Sequence, residues 1–171
     1  DLDKTLGDNF AAVKAANCYD LYKNDADQLV FMMGGKESLT PPKEYHALMA
    51  ALENMATCAE MSVGACGLVA EEQMKALCEC LLKHACDATA ALALAKLLNR
   101  LAENDKNLSN IAKFGGLEGI IQALIKNPEN TPLLRVLIHL LEKFVKHDVF
   151  KEQIGSLDGC KALVMCLTTH C

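Results

Sequence analysis

Between Asn110 and Cys171 the apolar positions fall in one pattern that is written twice. Aligning Ile111 with Ile154 puts Gly116 over Gly159, Leu117 over Cys160, Ile120 over Leu163, Ile121 over Val164 and Leu124 over Leu167, a constant offset of 43 residues. The same step backwards lands on Leu68, Gln73, Met74, Leu77, Cys78 and Leu81, so the apolar register returns while the glycine does not. Within each copy the spacing is three and four residues, the period of an amphipathic helix. A recurrence of this length predicts stacked helical units that share one continuous core.

The elements follow from this grammar. Asn107 to Phe114 reads as a short helix closed by Gly115-Gly116, Gly116 to Lys126 as a second helix, and Asn127-Pro128-Glu129-Asn130 as a turn. Thr131-Pro132 then opens a third helix to about His147, with Leu137, Leu140, Leu141 and Phe144 lying 43 residues after Leu94, Leu97, Leu98 and Leu101. Before it, Glu72 to Ala85 and a helix N-capped by Asp87 and running to about Asn104 form the preceding unit. Asp148 to Ile154 and Ser156 to Thr169 begin a further one. A break is expected around Gly64 to Gly67.

The first third is less regular. Residues 1–24 read as a mixed helical stretch, Leu29 to Met33 as a short apolar run stopped by Gly34-Gly35, and Lys36 to Leu39 as a loop. Thr40-Pro41-Pro42 starts a helix that continues to Glu60 on Leu48, Ala51, Leu52, Met55, Cys58 and Ala59. No strand-like alternation is visible anywhere, so the expected class is all-α. The expected organisation is a divergent or capping region at 1–60, units at 61–104 and 105–147, and a partial unit at 148–171.

The phrase Asn110-Ile111-Ala112-Lys113-Phe114-Gly115-Gly116-Leu117-Glu118-Gly119-Ile120-Ile121 resembles the armadillo consensus across its first two helices, and Leu97 to Ala102 is similar to its third. The resemblance covers residues 62–171 and is weak over 1–60. It implies a right-handed α-solenoid of about three and a half three-helix units, whose third helices line a concave, peptide-binding groove. In importin-α-like members the third helix carries a Trp and, four residues on, an Asn. The positions aligned with that pair are Glu53 and Thr57, Lys96 and Arg100, then His139 and Lys143. None matches, and the chain has no Trp. A basic-lined groove is nearer to the catenin type, which takes acidic ligands.

Charge sharpens this expectation. Residues 1–60 carry ten acids against five lysines, whereas residues 61–171 are balanced, and the whole chain has net charge -5. An acidic chain without a basic run is poorly suited to nucleic acid, where Lys and Arg on phosphate supply most of the affinity. The outward stripes of two successive third helices are nevertheless basic: Lys96 and Arg100, then Arg135, His139 and Lys143. One reading is a groove for an acidic peptide or protein segment. The other is a pair of solvated faces, with Glu103 and Glu142 neutralising the cations and basic residues placed to complement helix C-termini.

Other chemistry finds little footing. Nine cysteines sit mostly beside Leu and Ala, as small apolar residues do, and point to a reducing, cytoplasmic compartment without disulfides. Cys78, Cys80, His84 and Cys86 suggest zinc, but Cys78 and Cys80 lie about 200° apart on one helix, so four ligands could not converge there. Cys166, His170 and Cys171 are weaker still. No nucleophile elbow, phosphate-binding loop or helix-borne His-carboxylate pair is present, so neither an enzyme nor a cofactor is expected. The apolar Leu163 to Leu167 lacks the polar outer face of a capping repeat. That predicts a piece of a longer protein, or a chain that self-associates as an assembly module, through its C-terminal end or through the Cys- and Met-rich small-residue surface around Met49 to Met61.

Overall fold

The computed structural model describes residues 1–62 and 67–170, and the side chains of all of these but His170. Most of the predicted break at Gly64 to Gly67, and Cys171, lie outside them. The described residues are mostly helical: α1 (Leu2–Ala16), α2 (Lys43–Met61), α3 (Glu71–Lys83), α4 (Ala88–Leu101), α5 (Asp105–Lys113), α6 (Gly116–Lys126), α7 (Thr131–Val145), α8 (Asp148–Ser156) and α9 (Gly159–His170).

Two findings correct the reading of the first third. The helix predicted over 1–24 stops at Ala16, and residues 20–38 form a small antiparallel sheet of β1 (Asp20–Lys23), β2 (Leu29–Met33) and β3 (Lys36–Ser38), in the order β1-β2-β3. The chain is therefore helical with a sheet and not purely α. Gly34 and Gly35 have φ of 54° and 78°, and Met33 pairs with Lys36 across them. Two consecutive positive φ values make the two-residue primed turn whose twist matches a β-hairpin, so the glycine pair that stops the apolar run is a hairpin turn between β2 and β3. Alternation is missing because Val30 and Phe31 are adjacent yet both buried, and β1 buries only Leu21.

Helix starts obey capping chemistry. Asp87 accepts from the backbone N–H of Thr89 (3.0 Å) and Ala90 (3.4 Å), and Asn130 from that of Leu133 (3.0 Å). Thr40 does not cap α2, which begins at Lys43 after Pro42 without a side-chain bond.

Helices 43 residues apart pack on one another. Helix α4 lies between α2 and α7, and α6 lies between α3 and α9, so the long helices α2, α4 and α7 form one row and α1, α3, α6 and α9 another. The short helices α5 and α8 turn the chain between rows. The core runs unbroken between them, with Leu94, Leu97, Leu98 and Leu101 fully buried alongside Leu137, Leu140 and Phe144. At each corner a glycine is required by contact. A Cβ on Gly116 would meet Ile111 Cγ2 at 2.3 Å and Ile111 O at 2.7 Å, and one on Gly159 would meet Ile154 Cγ2 at 2.5 Å and Ile154 O at 2.7 Å.

Buried amides tie the units together. Asn107 accepts from the Val69 N–H (2.9 Å) and donates to the carbonyls of Gly67 (2.8 Å) and Leu101 (3.2 Å). Asn127 donates to the Ala85 and Ala123 carbonyls at 2.7 and 2.9 Å. Unpaired, these backbone groups would cost free energy in the interior. The sheet is fixed to the helices through Tyr19, whose ring meets Phe31 and His84, and through Phe31 on Tyr45.

Candidate interaction surface

The outer face of the α2, α4 and α7 row carries the five predicted site residues, and the structure gives them three different duties. Lys96 stands at the α2/α4 seam with its ammonium 2.5 Å from the Glu60 carboxylate. Arg100 bonds Glu103 at 2.5 Å and also donates to the carbonyl of Ser62, just past the end of α2. Lys143 donates to the carbonyl of Asn99 in α4 at 2.5 Å. Arg100 and Lys143 thus each reach back to the neighbouring long helix, and both act as links within the row. His139 bonds Glu142 at 3.1 Å, and Arg135 lies at the opposite end of α7, beside α9.

The five cations therefore do not make one basic patch. Among the described residues, Lys96, Arg100 and His139 have a carboxylate of this chain within reach. Exposed pairs of this kind are worth roughly 0–1 kcal/mol, so a ligand carboxylate could exchange with them at small cost.

Sequence reasoning missed a cleft of about 530 Å³ between α2 and α4. Met49, Ala56, Leu92 and Ala93 form its apolar floor, and Glu53, Glu60 and Lys96 its polar edges. Small side chains on facing helices open the space, and Met supplies an adaptable surface. The sequence carries part of the signal, since Met49 belongs to the Met-rich surface expected to self-associate, whereas Leu92 and Ala93, which fall off the core stripe of α4, are not marked by any charge or motif. A second, more apolar groove of about 500 Å³ lies between α7 and α9, lined by Leu134, Ile138, Leu163, Cys166 and Leu167 with Arg135 at its rim.

Several titratable groups elsewhere are buried or half-buried in the packing. Tyr45 donates to Asp87 at 2.6 Å, and burial together with that bond raises its hydroxyl well above the usual phenol range. Burial also pushes the Cys78 thiol up to about 12, so it stays a thiol at neutral pH. His84 is fully buried against the Tyr19 ring, and desolvation lowers its pKa. The residues that suggested zinc diverge: Cys78 faces the Ile111 carbonyl, Cys86 the Leu21 carbonyl and His84 the Tyr19 ring. Among the described residues no group of three or more His, Cys, Asp or Glu is placed to hold a metal, and no helix is long and apolar enough to cross a membrane. The seven described cysteines are free thiols.

No protein-family model matches this chain, and neither the curated proteins nor the solved structures contain a significant match to it.

Proposed function

We propose that this chain is a non-enzymatic protein-interaction module of the armadillo type, which holds a segment of a partner protein along the outer face of α2, α4 and α7. The observation that carries the reading is the apolar-floored cleft between α2 and α4, with charged side chains on its edges. Support for the armadillo assignment comes from the 43-residue recurrence of helices, the Gly116 and Gly159 corners and the two rows. In this reading the floor at Met49 and Leu92 supplies affinity by burying apolar side chains of the ligand. An acidic residue of the segment takes the place of Glu60 at Lys96 and sets register. Arg135 and His139 offer further charge contacts toward the far end of α7, whereas Arg100 and Lys143 contribute indirectly by holding the row together.

The test is capture of partners from an extract of the native cells, at low and high salt, by the wild-type chain and by folded Leu92→Asp and Lys96→Glu variants. The proposal expects Leu92→Asp to abolish capture at both salts and Lys96→Glu to weaken it most at low salt. Partners retained equally by all three proteins would remove the cleft from consideration. The alternative, an assembly module that joins copies through an apolar end, draws on Val164 and Leu167, which are 58% and 64% exposed. It predicts salt-tolerant oligomers that Leu167→Asp disperses.

A further inference from the structure

The charge on the outer face of the long-helix row changes sign between α2 and α4. Glu53, Lys96 and His139 occupy equivalent positions 43 residues apart on α2, α4 and α7. Ala50, Ala93 and Val136 form a second equivalent set, one turn away and apolar throughout. A segment crossing the row at this level meets a carboxylate on α2 and an ammonium on α4, with the apolar floor of the cleft between them. Of the charged side chains on the cleft, Lys96 already has Glu60. Glu53 is exposed, and among the described residues no cation lies within ion-pair reach of it.

Exchange at Lys96 enlarges the imbalance. Once a ligand carboxylate takes Lys96, Glu60 loses its partner, and two carboxylates face the segment from α2. They lie on one helix face, about 10 Å apart along the axis. The one lysine of α2, Lys43, is its first residue and stands about 15 Å along the axis from Glu53. A segment carrying acids alone would therefore meet Glu53 and the released Glu60 without a counter-charge, and like charges brought together across an interface cost affinity. A basic residue in the segment removes that cost at Glu53, and its methylene stem adds apolar cover beside Met49.

We infer that the segment held in the α2/α4 cleft carries charges of both signs: a basic residue over α2 at Glu53, an acidic residue over α4 at Lys96, and an apolar side chain between them on the floor of Met49, Ala56, Leu92 and Ala93. This rests on the cleft reading above and adds the charge pattern of the ligand to it. The spacing is compatible with an extended chain. Alternate residues of such a chain face the same side at about 6.6 Å intervals, so a base and an acid flanking the anchor stand about 13 Å apart. Packed helices have axes about 8–10 Å apart, and the long side chains of the pairs span the difference.

The probe is the peptide Gly-Ser-Lys-Thr-Phe-Thr-Glu-Ser-Gly, titrated into the isotope-labelled 171-residue chain and followed by heteronuclear NMR, which reads dissociation constants as weak as ~1 mM. The expected result is saturable shifts at the amides of Met49, Glu53, Ala93 and Lys96. A comparison peptide with Glu in place of its Lys binds roughly fivefold more weakly, the size expected when an exposed pair becomes a like-charged one. Salt narrows the difference. In Glu53→Lys, an exposed change whose fold circular dichroism will confirm, the order of the two peptides reverses. Glu118→Lys makes the same charge change on α6 and leaves the order as it was. Equal binding of the two peptides, or an order that Glu53→Lys does not reverse, overturns the inference; shifts that Leu92→Asp abolishes would then leave the cleft reading standing. Cleft amides that neither peptide moves, or shifts that persist in Leu92→Asp, overturn the cleft reading and the inference with it.

Discussion

Substituting alanine for Gly116 separates two opposed effects. Gly116 begins α6, and in an open helical position replacing Gly by Ala stabilises by about 0.5–1 kcal/mol. Here the new methyl would sit 2.3 Å from Ile111 Cγ2, more than 1 Å inside the roughly 3.5–4.0 Å carbon–carbon optimum. Ile111 is fully buried and has no room to rotate away. The second neighbour, at 2.7 Å, is the backbone carbonyl of Ile111, and Cys78 Sγ stands behind at 3.2 Å. Relief requires α5 to shift against both α6 and α3, which places the cost at the upper end of overpacking, about 3 kcal/mol. With a urea m-value of about 2 kcal/mol/M, the unfolding midpoint falls by roughly 1.5 M. Two controls bracket the result. Gly7→Ala, in α1 with nothing within 4 Å, raises the midpoint. Gly115→Ala, where φ is +81° but no atom is near, lowers it by only about 1 kcal/mol equivalent. Chemical denaturation followed by circular dichroism is sufficient. A Gly116→Ala protein as stable as wild type would refute the close-corner reasoning, and with it the equivalence to Gly159.

His84, buried neutral with a lowered pKa, makes stability pH-dependent. The unfolded chain binds the proton near pH 6.5 while the folded chain resists it, so stability is full above that value and declines as pH falls below it; His84→Phe should flatten the decline in thermal melts between pH 7 and 5. Asn107→Ala removes the acceptor of the Val69 N–H and the side-chain donor to the Gly67 carbonyl, while the Leu101 carbonyl keeps the Asn104 N–H, and should cost about 2–3 kcal/mol in denaturant unfolding. Tyr45→Phe removes a bond to the Asp87 carboxylate and should cost about 1.5–3 kcal/mol by the same measurement. Lys143→Met should lower stability measurably while leaving the α2/α4 cleft able to bind, which peptide capture by the variant will show.

Helices α3 to α7 were legible because they bury Leu, Ile and Met at helical spacing, and the pattern returns 43 residues on, with its glycine corner at Gly116 and Gly159. The sheet was not legible. Val30 and Phe31 are neighbours that are both buried, Phe31 against the rings of Tyr19 and Tyr45, so period-two alternation never develops, and the turn at Gly34-Gly35 was read from its residue type without its hairpin context. For the surface, the cations were readable but their duties were not. Glu60, Ser62 and Asn99 lie in other helices or loops, and only the packing of α4 on α2 and of α7 on α4 brings them to Lys96, Arg100 and Lys143. The same packing opens the cleft, whose apolar floor comes from small and flexible side chains on two neighbouring helices, Met49 and Ala56 on α2 with Leu92 and Ala93 on α4.

The claim that this chain binds a protein segment across α2 and α4 is tested most directly by site-specific photo-crosslinking in native-cell extract. A photoreactive residue at position 93, in the cleft, is compared with one at position 118, exposed on α6 in the other row. The account predicts a discrete crosslinked partner from position 93 and none from position 118. No adduct at position 93, or the same adducts at both positions, would contradict it.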